Sequence, residues 1–208
     1  MNYLYFGKSA DLNIGNGKTV SAVGRLVNEY ILDEKTIYSN IKLIGLPYVE
    51  LTPYNINEVI ETDNAVVLLD ELHAIIDIHH KVSPRCKHHI IEGTCFDISE
   101  LYRQVRKKNI TTLSTVQSYS DCVYRLKVVM QENIICEKFD ISSGRYRKCL
   151  SDICPPWHVH RIMQTNYRTW EKTIFDPSLY YDCYNSSEIV KGWQDCEVEK
   201  PEKKKGKV

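Results

Sequence analysis

Apolar and polar positions along the chain fall into blocks whose period changes from segment to segment. Asn2–Phe6 is a short apolar run, Tyr3-Leu4-Tyr5-Phe6, closed by Gly7, and it predicts a buried strand. From Thr19 to Leu32 the apolar positions are Val20, Val23, Leu26, Val27, Tyr30 and Ile31. Steps of three and four place them on one side of a helix. Thr36–Ser39 is rich in β-formers, and Asn55–Thr62 reads as a short helix with Ile56, Val59 and Ile60 on one face. Ala65–Leu69 is apolar without interruption and runs into Asp70-Glu71, the pattern of a strand covered on both faces of a parallel sheet. Ile98–Lys108 predicts a helix opened by Asp97, with Glu100 at the capping-box position. Ile110–Val116 predicts a strand, Tyr119–Lys127 a helix, and Val128–Phe139 a further strand. Strand and helix in alternation predict an α/β fold, a mostly parallel central sheet flanked by its crossover helices.

After Asp140 the pattern loosens. Ser142-Ser143-Gly144 is a turn, Pro155-Pro156 interrupts the chain, and Trp157–Tyr167 reads as a strand. Asp176-Pro177 opens a polar, tyrosine-rich helix through Asn185. We therefore divide the chain into a core (1–139), a small C-terminal extension packed on it (140–199) and a flexible basic tail (200–208).

Composition narrows the class. The chain has 208 residues, 43% of them hydrophobic, with 27 Lys+Arg balancing 27 Asp+Glu. That is the range of an ordinary globular protein, and it excludes disorder for the bulk of the chain. No apolar run approaches the ~20 residues a bilayer span needs. The opening residues are too short and too polar downstream for a signal peptide, so the cytoplasm is the expected compartment. The eight cysteines include no Cys-x-x-Cys and read as free thiols. Charge is unevenly distributed: residues 28–77 hold ten acids and two lysines, whereas residues 97–148 hold ten bases and six acids. A blanket basic surface is absent, but a local basic face is available.

The chemistry concentrates in three places. Gly15-Asn16-Gly17-Lys18-Thr19 lies between the first strand and the first helix. Glycines there let backbone N–H groups close around a phosphate, and the helix N-terminus adds partial positive charge. Lys18 is placed to reach the β- and γ-phosphates of ATP, and the Thr19 hydroxyl to ligate Mg²⁺. Leu12 stands where the full loop pattern has another glycine. Second, Asp70 and Glu71 end a buried strand, at the edge where open α/β sheets bind ligands. Asp70 is the expected Mg²⁺ partner, and Glu71 the residue that orients and deprotonates water. Third, Gln117 closes the strand Thr111–Val116 and is placed to sense the γ-phosphate. Arg103 and Arg106, three apart on one helix face, offer either an arginine finger for a neighbouring subunit or a solvated or DNA-facing surface. Two Cys/His groupings, Cys86/His88/His89/Cys95 and Cys149/Cys154/His158/His160, lack the tight knuckle of a zinc site, and we expect no metal there.

The segments GNGKT, VVLLDELHAIID and LYRQVRKKNITTLSTVQSYSD together resemble the FtsK–HerA group of P-loop ATPases. The likeness covers roughly residues 2–139. Within the group the chain looks most like the small genome-packaging ATPases of archaeal and internal-membrane viruses, and the related zonular occludens toxin-like domain. The resemblance implies a P-loop NTPase that uses ATP and Mg²⁺ and assembles into a homo-oligomeric ring, typically a hexamer. It further implies movement of double-stranded DNA, with capsid or portal-like vertex proteins as partners, in the host cytoplasm or on the virion. A small-molecule kinase and a non-catalytic morphogenesis or interaction protein are the alternatives.

Overall fold

A computed structural model describes residues 1–7, 16–52, 55–75, 90–91, 94–95, 98–122, 124–140, 147–148, 160–185 and 190. The elements come in the order β1 (Asn2–Gly7), α1 (Lys18–Asp33), β2 (Thr36–Ser39), β3 (Val49–Glu50), α2 (Ile56–Glu61), β4 (Ala65–Leu69) and α3 (Leu72–Ile75). Then follow β5 (Ile90–Ile91), β6 (Thr94–Cys95), α4 (Ile98–Gln104), β7 (Thr111–Val116), α5 (Tyr124–Lys127), β8 (Glu132–Asp140), β9 (Arg147–Lys148), β10 (His160–Asn166) and β11 (Lys172–Phe175).

One sheet organises the molecule, in the order β11-β10-β8-β1-β7-β4-β2-β3, with β9 pairing β8. Its central pairs, β8–β1, β1–β7, β7–β4, β4–β2 and β2–β3, are all parallel. β10, β11 and β9 join antiparallel. The fold is thus α/β with a largely parallel central sheet, as the alternation predicts. β1 and β4 are not neighbours, because β7 runs between them.

Alternation along each strand sends side chains into two cores. Val66, Leu68, Leu113, Tyr3 and Tyr5 pack with Val20, Val23 and Leu26 of α1. Ala65, Val67, Leu69, Leu4 and Phe6 pack on the opposite face with Ile56 and Val59 of α2 and with Leu101 and Tyr102 of α4. All five residues of β4 are fully buried, which explains why its sequence shows no alternation.

Under α1, at the edge where the strands begin, lies a polar network. Lys35, only 4% exposed, donates to Glu29 Oε2 at 2.5 Å and to Thr111 Oγ1 at 2.8 Å. Arg25 donates to Glu29 Oε1 at 3.2 Å and to the Tyr3 hydroxyl at 2.6 Å. A buried lysine survives here because its donors are matched.

After β10 and β11 the chain turns onto α1. Phe175 of β11 stacks on Tyr180 with ring centroids 5.4 Å apart. The pair approaches α1 closely because residue 24 is glycine: a Cβ there would sit 2.5 Å from Phe175 Cζ. The segment ends by pairing Tyr184 with Leu43, and Ile44 N donates to Cys183 O at 2.8 Å.

Two expectations need adjustment. The stretch Tyr119–Lys127 is two short pieces, a 3₁₀ turn at Tyr119–Asp121 with a Ser118/Asp121 capping box, and α5. The helix expected over 176–185 is instead a run of tight turns ending in a 3₁₀ turn at Tyr181–Cys183. Asp176 accepts from Ser178 N, Tyr180 N donates to Pro177 O, and Cys183 N to Tyr180 O, so local three-residue closures replace the helical ladder. Asp97, Cys86, His88, His89, Cys149, Cys154, His158 and the 200–208 tail lie outside the described residues.

Candidate nucleotide site

The three central parallel strands β1, β4 and β7 end at one edge of the sheet, and the expected chemistry collects there. α1 begins at this edge. Its N-cap, Gly17, has φ 79°, a left-handed conformation that glycine adopts without cost. No side chain caps the helix and its first turn has no acidic residue. Among the described residues nothing compensates its first N–H groups and dipole, which suits an anion. Gly7, ending β1, leaves room for Asn16: a Cβ on Gly7 would stand 2.4 Å from Asn16 Nδ2. Gly15 lies outside the described residues.

The N-terminus of α1 meets β4 through a hydroxyl. Thr19 Oγ1 donates to Asp70 Oδ1 at 2.9 Å, and Thr115 Oγ1 donates to the same oxygen at 2.7 Å. Asp70 is 7% exposed. Burial pushes its carboxyl above the usual range, against the two hydroxyl bonds, with adjacent Glu71 adding to the rise and Lys18 opposing it. Lys18 is half-buried, at the first position of α1. The backbone of Asp70 is held as well: Asn40 Nδ2 donates to Asp70 O at 2.9 Å, and Asp70 N donates to Asn40 Oδ1 at 2.7 Å.

Glu71 follows in a left-handed conformation, φ 51°, that carries strain in a residue with a side chain. Its N–H donates to Thr115 Oγ1 at 3.0 Å, so one threonine hydroxyl anchors both acids. The Glu71 carboxylate faces His73, with Oε2 at 3.1 Å from Nε2. Gln117 is exposed just beyond β7, and its carbonyl accepts from Gly7 N at 3.2 Å, tying the ends of β7 and β1 together.

Asn16, Gly17, Lys18, Thr19, Asp70, Glu71 and Gln117 therefore share one edge. Arg103 does not. It is exposed in the last turn of α4, next to Tyr102, whose carbonyl accepts from Asn2 at the opening end of β1. That is the opposite edge of the sheet. Arg106 falls in the 3₁₀ turn Val105–Lys107, and its side chain is outside the described residues.

Thr115, Asn40 and His73 are members that sequence reasoning did not single out. Thr115 had a legible sign, since it shares the α1-facing side of β7 with Thr111 and Leu113. Asn40 had none, because its role depends on β2 lying beside β4. The donor set at Asp70 and Thr19 is all oxygen, which suits a hard divalent cation such as Mg²⁺. Among the described residues no group of three His, Cys, Asp or Glu side chains could hold a metal, and no helix is long and apolar enough to cross a membrane. Tyr184 borders the site, its hydroxyl pushed up to about 12 by burial and then by the charge of Asp70.

No protein-family model and no curated protein matches the chain. Among solved structures, the N-terminal domain of zonular occludens toxin from Neisseria meningitidis is similar over 88% of this chain and 98% of its own length, with a TM-score of 0.53 and 14% identity. The likeness is one of fold.

Proposed function

We propose that this P-loop-like domain is an ATPase, and that its task is to move double-stranded DNA, packaging a viral genome into a capsid. The observation that carries the hydrolase reading is the convergence of Thr19 and Thr115 on Asp70 Oδ1. It brings the lysine-bearing helix start, the acidic strand and the strand between them to one point, which is what phosphoryl chemistry needs.

In this reading Gly15, Asn16, Gly17 and Lys18 cradle the phosphates of ATP, and Thr19 and Asp70 hold Mg²⁺. The ion supplies charge neutralisation on the β- and γ-phosphates. Glu71 orients and deprotonates the attacking water, and Gln117 reads the γ-phosphate. Residues 1–139 form the ATPase core, 140–199 its extension and 200–208 a basic tail.

The finer assignments draw on the resemblance to FtsK–HerA packaging ATPases, supported by the shared fold. They are a homo-oligomeric ring, hexameric by preference, an arginine from Arg103 or Arg106 acting on a neighbour's ATP, and capsid or portal-like vertex partners in the host cytoplasm or virion. The position of Arg103 far from its own site fits action in trans rather than in cis. The test is ATP turnover with and without duplex DNA, alongside the mass of the assembly with an ATP analogue. DNA-stimulated hydrolysis by a closed oligomer is expected. Phosphate transfer to a small acceptor would replace the motor with a kinase, and binding without turnover would leave an interaction protein.

A further inference from the structure

We propose that His73 is a positioning residue for Glu71, fixing the carboxylate that orients water; the inference rests on the hydrolase reading of the site. Glu71 is a long side chain with several rotatable bonds, at a backbone position that is itself strained. Its main chain is anchored twice, by Thr115 Oγ1 accepting from Glu71 N at 3.0 Å and by Ala74 N donating to Glu71 O at 2.7 Å. Neither bond restrains the carboxylate. His73 does, through the 3.1 Å contact of Nε2 with Oε2.

The other ring nitrogen decides how this contact is made. His73 Nδ1 is buried and has no partner among the described residues. A proton there would be an N–H donor buried with nothing to accept it, whereas a bare lone pair is the less costly occupant. The neutral ring therefore carries its proton on Nε2 and donates it to Glu71. Only Oε2 is engaged. Oε1 makes no hydrogen bond among the described residues and is left to accept from water. The side chains are 28% and 29% exposed, so water reaches the pair without dissolving it.

Such a residue acts on chemistry and not on affinity. The phosphates are bound at the other side of the site by the α1 N-terminus, so loss of His73 leaves ATP binding alone and disperses the Glu71 carboxylate. His73→Ala is expected to lower kcat about tenfold, the scale of losing an orienting partner, with KM for ATP and the Kd of a non-hydrolysable ATP analogue unchanged within about twofold. His73→Gln, whose amide N–H can donate to the same oxygen, should recover most of the rate. Nitrogen-15 NMR of the nucleotide-free protein should show His73 in the Nε2–H tautomer, with its resonances shifting in Glu71→Gln. An unchanged or raised kcat in His73→Ala would overturn the proposal, a rise meaning that the contact is a brake. So would failure of glutamine to rescue, or an Nδ1–H tautomer. Absence of ATP turnover in the wild type is a separate failure. It would remove the hydrolase reading, and the positioning role with it, even where the tautomer shows the pair intact.

Discussion

Thr19 and Asp70, on α1 and at the end of β4, share a hydrogen bond of 2.9 Å. The bond joins the first turn of α1 to the end of β4, a strand two places from β1 in the sheet. It makes the two halves of the site a single unit, so substitutions on either side separate binding from chemistry in a defined way.

Lys18→Ala should abolish ATP binding or hydrolysis while leaving the circular dichroism spectrum unchanged, because Lys18 lies outside both cores. Glu71→Gln should retain nucleotide affinity and lose turnover by ~10²–10⁴-fold, the range for a positioned acid–base group. Equilibrium binding of a fluorescent ATP analogue beside steady-state hydrolysis separates the two. Loss of folding in Glu71→Gln would instead assign the acid to capping the turn that follows.

Gly17 couples the start of α1 to β10. A Cβ at this position would come 2.1 Å from Ile162 Cδ1 of β10, and the backbone is left-handed. Gly17→Ala should destabilise the fold by about 1–3 kcal/mol, combining conformational strain with overpacking. Adding Ile162→Ala relieves the second part and not the first. Denaturation of the two singles and the double should therefore show a coupling of about 0.5–3 kcal/mol.

The Glu29–Lys35 network gives the fold an acid-sensitive element. Burial raises the Glu29 carboxyl, but the Lys35 hydrogen bond and charge, with Thr111 and Arg25, outweigh it and leave the group below its ordinary 4.5. A carboxyl lowered on folding contributes stability that is present above 4.5 and lost as pH falls through the lower, folded value. Glu29→Gln should thus be less stable than wild type at pH 7, with the gap closing below pH 4.5. Lys35→Ala removes one partner of a buried pair and should cost about 3 kcal/mol. Urea titrations across pH check both.

For the ring, subunits carrying Lys18→Ala should be mixed with subunits carrying Arg103→Ala, and separately with Arg106→Ala. Each parent should be inactive, the arginine variants by ~10³-fold or more. Partial recovery in one mixture identifies the finger, since an intact site then faces an intact arginine. No recovery in either, with assembly verified by mass, assigns both residues to a solvated or DNA-facing surface.

The α/β architecture was legible wherever burial alone set the pattern. β4 reads as an uninterrupted apolar run because both its faces are covered, and α1 reads at helical spacing because only one face is. β11 was not legible: Lys172, Thr173 and Ile174 are exposed, and only Phe175 packs inward, against Gly24. The tyrosines of 176–185 gave a helical spacing by composition, but the contacts that decide their path are with Leu43 and Ile44, over 130 residues away. At the site, Lys18, Thr19, Asp70 and Glu71 were legible because a loop and a strand end announce themselves locally. Asn40 was not, because its partner is set by which strands lie side by side, and Thr115 showed its place on the α1-facing side of β7 but not the acids it bonds.

That arrangement also governs when the site can come into being. Among the described residues, β1 pairs with β7 and β8, and with no strand between. α1, which carries Lys18 and Thr19, follows β1 in the chain, so during synthesis β1 has no β7 beside it until Val116 has left the ribosome. At roughly 5–20 residues per second that is a wait on the order of 10 s, with an apolar first strand exposed throughout. α1, β2 and β4 can associate meanwhile, yet they lack the central strand that spaces them. The contact of Thr19 and Thr115 with Asp70 therefore waits for β7, and the step that completes it is the same step that begins to cover β1.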